Sequence, residues 1–247
     1  MHTSIGISRV NAAIVGVLLI IGTATGIMAA VISSPILDSP DYLSRIAANQ
    51  GTIISGSFLV FLMSIACAGV GLWLYPILSK FSIGLAISSA GFRLLESMAQ
   101  VLSGLSFIAL MALSREFINA GGSNAVHLQT VSEIIKASSD WINNGVVLIF
   151  WCISAFMYYG IFYRYRLVPR WISVWGLAGI ILVTISSVLG MFGGFPGYET
   201  VQMIANLPII PQEIVFAVWL IVKGINPPPA IRSASASLSA KSAMSEG

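Results

Sequence analysis

The chain has 247 residues, 57% of them hydrophobic and 9% charged, with a formal net charge of +3. A soluble domain carries about 25% charged residues, so this composition excludes a water-soluble fold. The basic residues sit at the ends of apolar runs, where anionic headgroups would meet them, and give no ground for a nucleic-acid partner.

A bilayer core of about 30 Å needs roughly 20 apolar residues per helical span. Runs of that length cover Val10–Ile32, Thr52–Leu78, Ser82–Leu113, Trp141–Tyr163, Trp171–Phe192 and Met203–Ile225. They predict an all-α, six-span transmembrane helix bundle over residues 1–225. The first run follows Arg9, as a signal peptide would. Its continuation to Ile32 outlasts a signal core of about 7 to 15 residues, which predicts a retained span. Within it Gly22 and Gly26 form a GxxxG pair, expected to pack against a neighbouring span of the same chain.

Between the first two runs, Ser39 is placed as an N-cap and Pro40 as the first helical residue, predicting a short extramembrane extension of the second helix. The third run contains "FRLLESMAQ", with Arg93, Glu96 and Gln100 on one helical face. Before the fourth run, Leu128, Val131, Ile134, Ile135 and Ile142 recur at helical spacing, predicting a short amphipathic outer-surface helix. In the last run Pro208 and Pro211 remove backbone donors, which predicts a kinked sixth helix just before Gln212 and Glu213. Residues 226–247, rich in Pro, Ser and Ala, read as a disordered cytoplasmic tail.

Orientation follows from the cations. Arg9, Lys80, Arg164, Arg166, Arg170, Lys223, Arg232 and Lys241 fall on one side, against Arg45, Arg115 and Lys136 on the other. Positive residues of short loops stay in the cytoplasm, so a cell-membrane protein with both termini cytoplasmic is expected. Trp73, Tyr75, Trp141, Tyr163, Tyr165, Trp171 and Trp219 mark the span ends. The deeper Trp151 and Tyr158 read as packing residues.

Counting removes several chemistries. His2 and His127 both lie outside the spans, so intramembrane haem or metal ligation has no imidazoles, and no cofactor or metal is expected. The aspartates are extramembrane and no P-loop is present. Cys67 and Cys152 read as free, packed thiols. What remains is charge at depth, which costs about 2.5 to 3.5 kcal/mol per residue on insertion scales and therefore seeks a partner. Arg93 and Glu213 lie at matching depths in the third and sixth spans. The expectation is an Arg93–Glu213 ion pair across that interface, with Glu96 and Gln100 lining the same pocket.

"AGFRLLESMAQ", "YRYRLVPRWISVWGLAGI" and "LPIIPQEIVFAVWLIVKGI" resemble the bacterial and archaeal membrane proteins grouped as domain of unknown function 4386, over about Arg9 to Ile225. The resemblance is most specific at Arg93, Glu96 and Glu213, and it implies a six-span membrane protein of unassigned activity. Members often carry a histidine in the fourth span, where this chain has Cys152 and Ser154.

The leading reading is an integral membrane protein that binds or moves a small molecule, lipid or ion at Arg93, Glu96, Gln100 and Glu213. The alternative is a structural or accessory protein in the bilayer, whose buried charges lock helix packing and whose surface meets another membrane protein. Catalysis by Glu96 or Glu213 comes third.

Overall fold

The computed structural model describes residues 2–120, 123–192 and 198–226. Among these, every regular element is helical. The long elements are α1 (His2–Leu37), α3 (Gln50–Leu78), α4 (Ile83–Asn119), α6 (Leu148–Tyr165) and α7 (Arg170–Met191). Shorter ones are α2 (Tyr42–Ala48), α5 (Ser123–Trp141), α8 (Tyr198–Asn206) and α9 (Ile209–Val222), with a π-helical turn at Ile142–Val147 between α5 and α6. Six helical stretches are long and apolar enough to cross a membrane: Arg9–Leu37, Gln50–Leu78, Ile83–Asn119, Asn124–Tyr165, Arg170–Met191 and Thr200–Val222. Their outward faces expose large apolar side chains such as Val31, Phe58, Met98, Leu105 and Phe156. Hydrocarbon satisfies such a surface and water does not. The chain is a multi-pass membrane protein.

The spans form a ring in chain order. α1 packs on α3, α3 on α4, α4 on α6, α6 on α7, and α7 on α8 and α9, while α9 closes against α1. Small residues permit the close approaches. A Cβ on Gly22 would meet Ala66 and Cys67, and one on Gly26 would meet Met63, so the GxxxG face of α1 packs against α3 within the chain. At the end of the bundle that carries both described ends of the chain, the ring interior is filled. Tyr158, Tyr159, Phe162 and Phe216 cluster there with ring centroids 4.5 to 6.5 Å apart. Leu74, Leu78 and Leu220 continue the seal below them. A left-handed Arg166 (φ 55°) ends α6, and Gly224 (φ 68°) follows α9.

Local chemistry sets the departures from the sequence reading. Ser39 does not cap a helix; its hydroxyl donates to the Ile36 carbonyl at 2.7 Å, closing the end of α1. Asp41 takes the N-cap position of α2, which is separated from α3 by Asn49 rather than continuous with it. The amphipathic segment is present as α5, and it runs on through the π turn into α6 instead of standing apart. That continuous helix has 42 residues. At 1.5 Å per residue it is about 63 Å long, so its amphipathic half extends beyond a hydrocarbon core of about 30 Å. The sixth span breaks at Leu207 and Pro208, one turn before Gln212 and Glu213. Pro211 sits in the first turn of α9, where the missing N–H has no intrahelical acceptor to lose. Of the C-terminal tail, Asn226 donates its backbone N–H to Leu167 at 2.8 Å; residues 227–247 lie outside the described residues.

Candidate functional site

The polar stripe of α4 is buried: Arg93 is 1% exposed, Glu96 2% and Gln100 3%. Spacings of three and four bring the three side chains together on one face. Arg93 Nη1 donates to both Glu96 oxygens, at 3.1 and 3.3 Å. Gln100 Nε2 donates to Glu96 Oε1 at 3.3 Å and lies 3.7 Å from the Cys67 sulfur. Arg93 Nη2 reaches across to α6, donating to the Tyr158 hydroxyl at 3.3 Å, and its guanidinium carbon lies 5.7 Å from the centre of that ring. The stem of Arg93 can lie flat against α3 because Gly71 has no side chain; a Cβ there would stand 2.6 Å from Arg93 Cβ.

Above this cluster the ring encloses a cavity of about 330 Å³. All six spans contribute to its wall, and Arg93, Glu96, Gln100 and Glu213 all line it. Glu213 Oε2 accepts from the Thr23 hydroxyl of α1 at 3.1 Å, with Trp151 alongside. Three polar atoms of the lining residues are buried without a hydrogen-bond partner: Arg93 Nε, Gln100 Oε1 and Asn206 Oδ1. Unsatisfied buried groups are uncommon and cost about 1 to 3 kcal/mol each, which makes a water or ligand in contact with them favourable.

The model of the family described as "Domain of unknown function (DUF4386)" matches residues 14–224. The chain belongs to this family. No curated protein and no solved structure matches it. Because the family description assigns no activity, the chemistry of the DUF4386 chain has to be read from its own cavity.

One sequence expectation is corrected here. Arg93 and Glu213 do not form an ion pair, because Arg93 is taken by Glu96 on its own helix. The physical reason is azimuth. Glu96 is three residues along the same face and already within reach, whereas matching depth says nothing about which way Glu213 points. The four expected residues do share one cavity. Where the resemblance leads to a fourth-span histidine, Cys152 Sγ lies 3.8 Å from the Ile180 carbonyl, while Ser154 exchanges hydrogen bonds with Ser89 of α4.

Several residues of the site carry no signal of their own in the sequence. Tyr158 reads there as a packing residue, and Thr23, Asn143 and Asn206 are polar residues of ordinary cost in a span. A second cavity of about 550 Å³ lies farther from the aromatic seal, and Asp38, Lys136, Ser139, Asp140 and Gln202 line it. The two cavities share Gly26, Met63, Asn143 and Asn206 on their walls. Asn143 stands on the π turn, where it donates to the Ser103 hydroxyl, and Asn206 ends α8 at the proline break. Irregular backbone on both sides of the junction is held by protein contacts: Gln202 Nε2 donates to the Asn144 carbonyl at 3.2 Å. Non-helical backbone at membrane depth persists where protein or a water-lined cavity satisfies it, and π turns concentrate at functional sites. The doublet "NN" at the head of the fourth run was the available signal.

Proposed function

We propose that this integral membrane protein binds, or passes through its ring, a small ligand, lipid or ion at Arg93, Glu96, Gln100 and Glu213. The observation that carries this reading is the cavity itself, which is lined by charged side chains and by residues that hold unpartnered buried polar atoms. A purely structural lock is the second reading, and the position of the ion pair argues against it. Arg93 and Glu96 lie on one helix, so their pair cannot hold two helices in register; among the bonds of this stripe, that work falls to the uncharged partners in Arg93–Tyr158 and Gln100–Cys67.

A screen of small amines, acids, sugars and headgroup analogues on detergent-purified protein tests the reading by thermal stability. A ligand at a hundred times its Kd stabilises by about 2.7 kcal/mol, a readily measured rise in melting temperature. The rise should vanish in Cys67→Leu, which adds bulk to the cavity wall and leaves the charges in place. Compounds that stabilise both proteins equally, or a library that stabilises neither, would favour the lock.

The orientation belongs to the same proposal. The distribution of lysine and arginine supports both termini in the cytoplasm, which directs the second cavity outward and the aromatic seal inward. A reporter fused after Gly247 should be active inside the cell; activity confined to the outside would reverse the direction of access.

A further inference from the structure

We infer that the ligand is a small organic cation, a protonated amine with an apolar body, whose ammonium sits at Glu213. This deepens the binding reading above and rests on it. The charged residues lining the cavity are Arg93, Glu96 and Glu213. Arg93 and Glu96 neutralise one another at 3.1 Å. Glu213 receives only neutral partners, the Thr23 hydroxyl and the Trp151 indole N–H, and among the described residues no basic side chain forms an ion pair with it. The cavity therefore carries one excess negative charge in a low-dielectric surround, where an unmatched carboxylate is expensive and a mobile cation offsets it.

The remaining chemistry agrees with a cation. An ammonium has donors only and needs several acceptors. Besides the Glu213 carboxylate, the lining residues Gln100 and Asn206 each hold a covered carbonyl oxygen with no hydrogen-bond partner, which rotation of the side chain would turn toward an ammonium. The Gln100 assignment is fixed by its own amide nitrogen, which is committed to Glu96. Trp151 donates its indole N–H to Glu213, which holds the carboxylate in the cavity, and its ring adds apolar surface to the wall. The rest of the wall is aliphatic, with Leu18, Ile27, Val70, Leu148, Val183 and Ile210. A simple metal ion would leave that surface unused, whereas an amine on an apolar body covers it. Among the described residues Arg93 Nε is the one unpartnered donor in the lining, and its guanidinium is already matched to Glu96.

The test uses three probes with one body and different heads: 2-phenylethylammonium, 2-phenylethanol and 3-phenylpropionate. Each is titrated into detergent-purified full-length protein and followed by calorimetry and melting temperature. The ammonium should bind most tightly, and Glu213→Gln should weaken it about tenfold, the loss of one charge-assisted contact. Glu213→Asp, which keeps the charge, should keep the preference for the ammonium over the alcohol, a second readout if Glu213→Gln does not fold. Equal affinity for ammonium and alcohol, tighter binding of the carboxylate, or indifference to Glu213→Gln would overturn the cation assignment. In those cases any binding still abolished by Cys67→Leu would leave the cavity reading standing. Absence of Cys67→Leu-sensitive binding by these probes and by the broader screen would overturn both.

Discussion

Arg93→Ala should cost the folded bundle about 3 to 5 kcal/mol, the penalty for removing one partner of a buried ion pair. Glu96 would be left buried without its cation, with the Gln100 amide and the Cys67 thiol to hydrogen-bond it, and the tie from α4 to Tyr158 on α6 would be lost as well. Glu96→Ala should be comparably damaging, since it strands a guanidinium that is 1% exposed. The double variant should cost clearly less than the sum of the two, because neither charge then remains unmatched. The same cycle between Arg93 and Glu213 should give a smaller coupling, as those groups share a cavity and no bond. Unfolding in denaturant from a fixed detergent would measure both cycles. Coupling that is larger for Glu213 than for Glu96 would restore the interhelical pair and remove the geometry described here.

Gly71→Leu should be strongly disruptive at a position that carries no charge. A Cβ at Gly71 would lie 2.6 Å from Arg93 Cβ, 3.2 Å from its Cγ and 3.4 Å from the Ala90 backbone. Those atoms are the root of a side chain and a helix backbone, so α3 and α4 must separate to accept it. Overpacking of this kind costs about 1 to 3 kcal/mol, and here it also displaces the Arg93 guanidinium from Glu96 and Tyr158. Gly91 lies on α4 with nothing within 4 Å of an added Cβ. Gly91→Ala should therefore be neutral or stabilising, by up to about 1 kcal/mol from helix propensity. Equal melting temperatures for Gly71→Leu and Gly91→Ala would contradict the close contact at Gly71.

The contrast between these two glycines shows what the sequence could and could not disclose. The six spans were legible because bilayer thickness imposes a run length that few other constraints mimic. Arg93, Glu96 and Glu213 were legible because charge at depth is expensive and so stands out against an apolar background. Their pairing was not, since depth along a helix leaves its rotation open. Gly71 gave no signal either: a glycine in an apolar span reads alike whether it faces lipid or the stem of an arginine. Thr23 and Tyr158 were obscure for a related reason, as hydroxyl groups cost too little at depth to demand an explanation. The π turn at Ile142–Val147 left no periodicity that would separate it from an α-helix. Pro208 was the opposite case, because a missing N–H and a steric clash predict a break from one residue alone.

The central claim is that Arg93, Glu96 and Glu213 line a water-accessible binding cavity rather than a dry helix contact. Cys67 reports on this directly: its thiol lies on the cavity wall, while Cys152 is buried against the Ile180 carbonyl. Detergent-purified protein can be treated with the small neutral reagent methyl methanethiosulfonate and followed by intact-protein and peptide mass analysis. Cys67 should be modified in the folded protein while Cys152 stays unmodified until denaturation, and a bound ligand should protect Cys67. If Cys67 instead resists the reagent as completely as Cys152 does, the cavity is sealed from water and the buried charges serve packing alone.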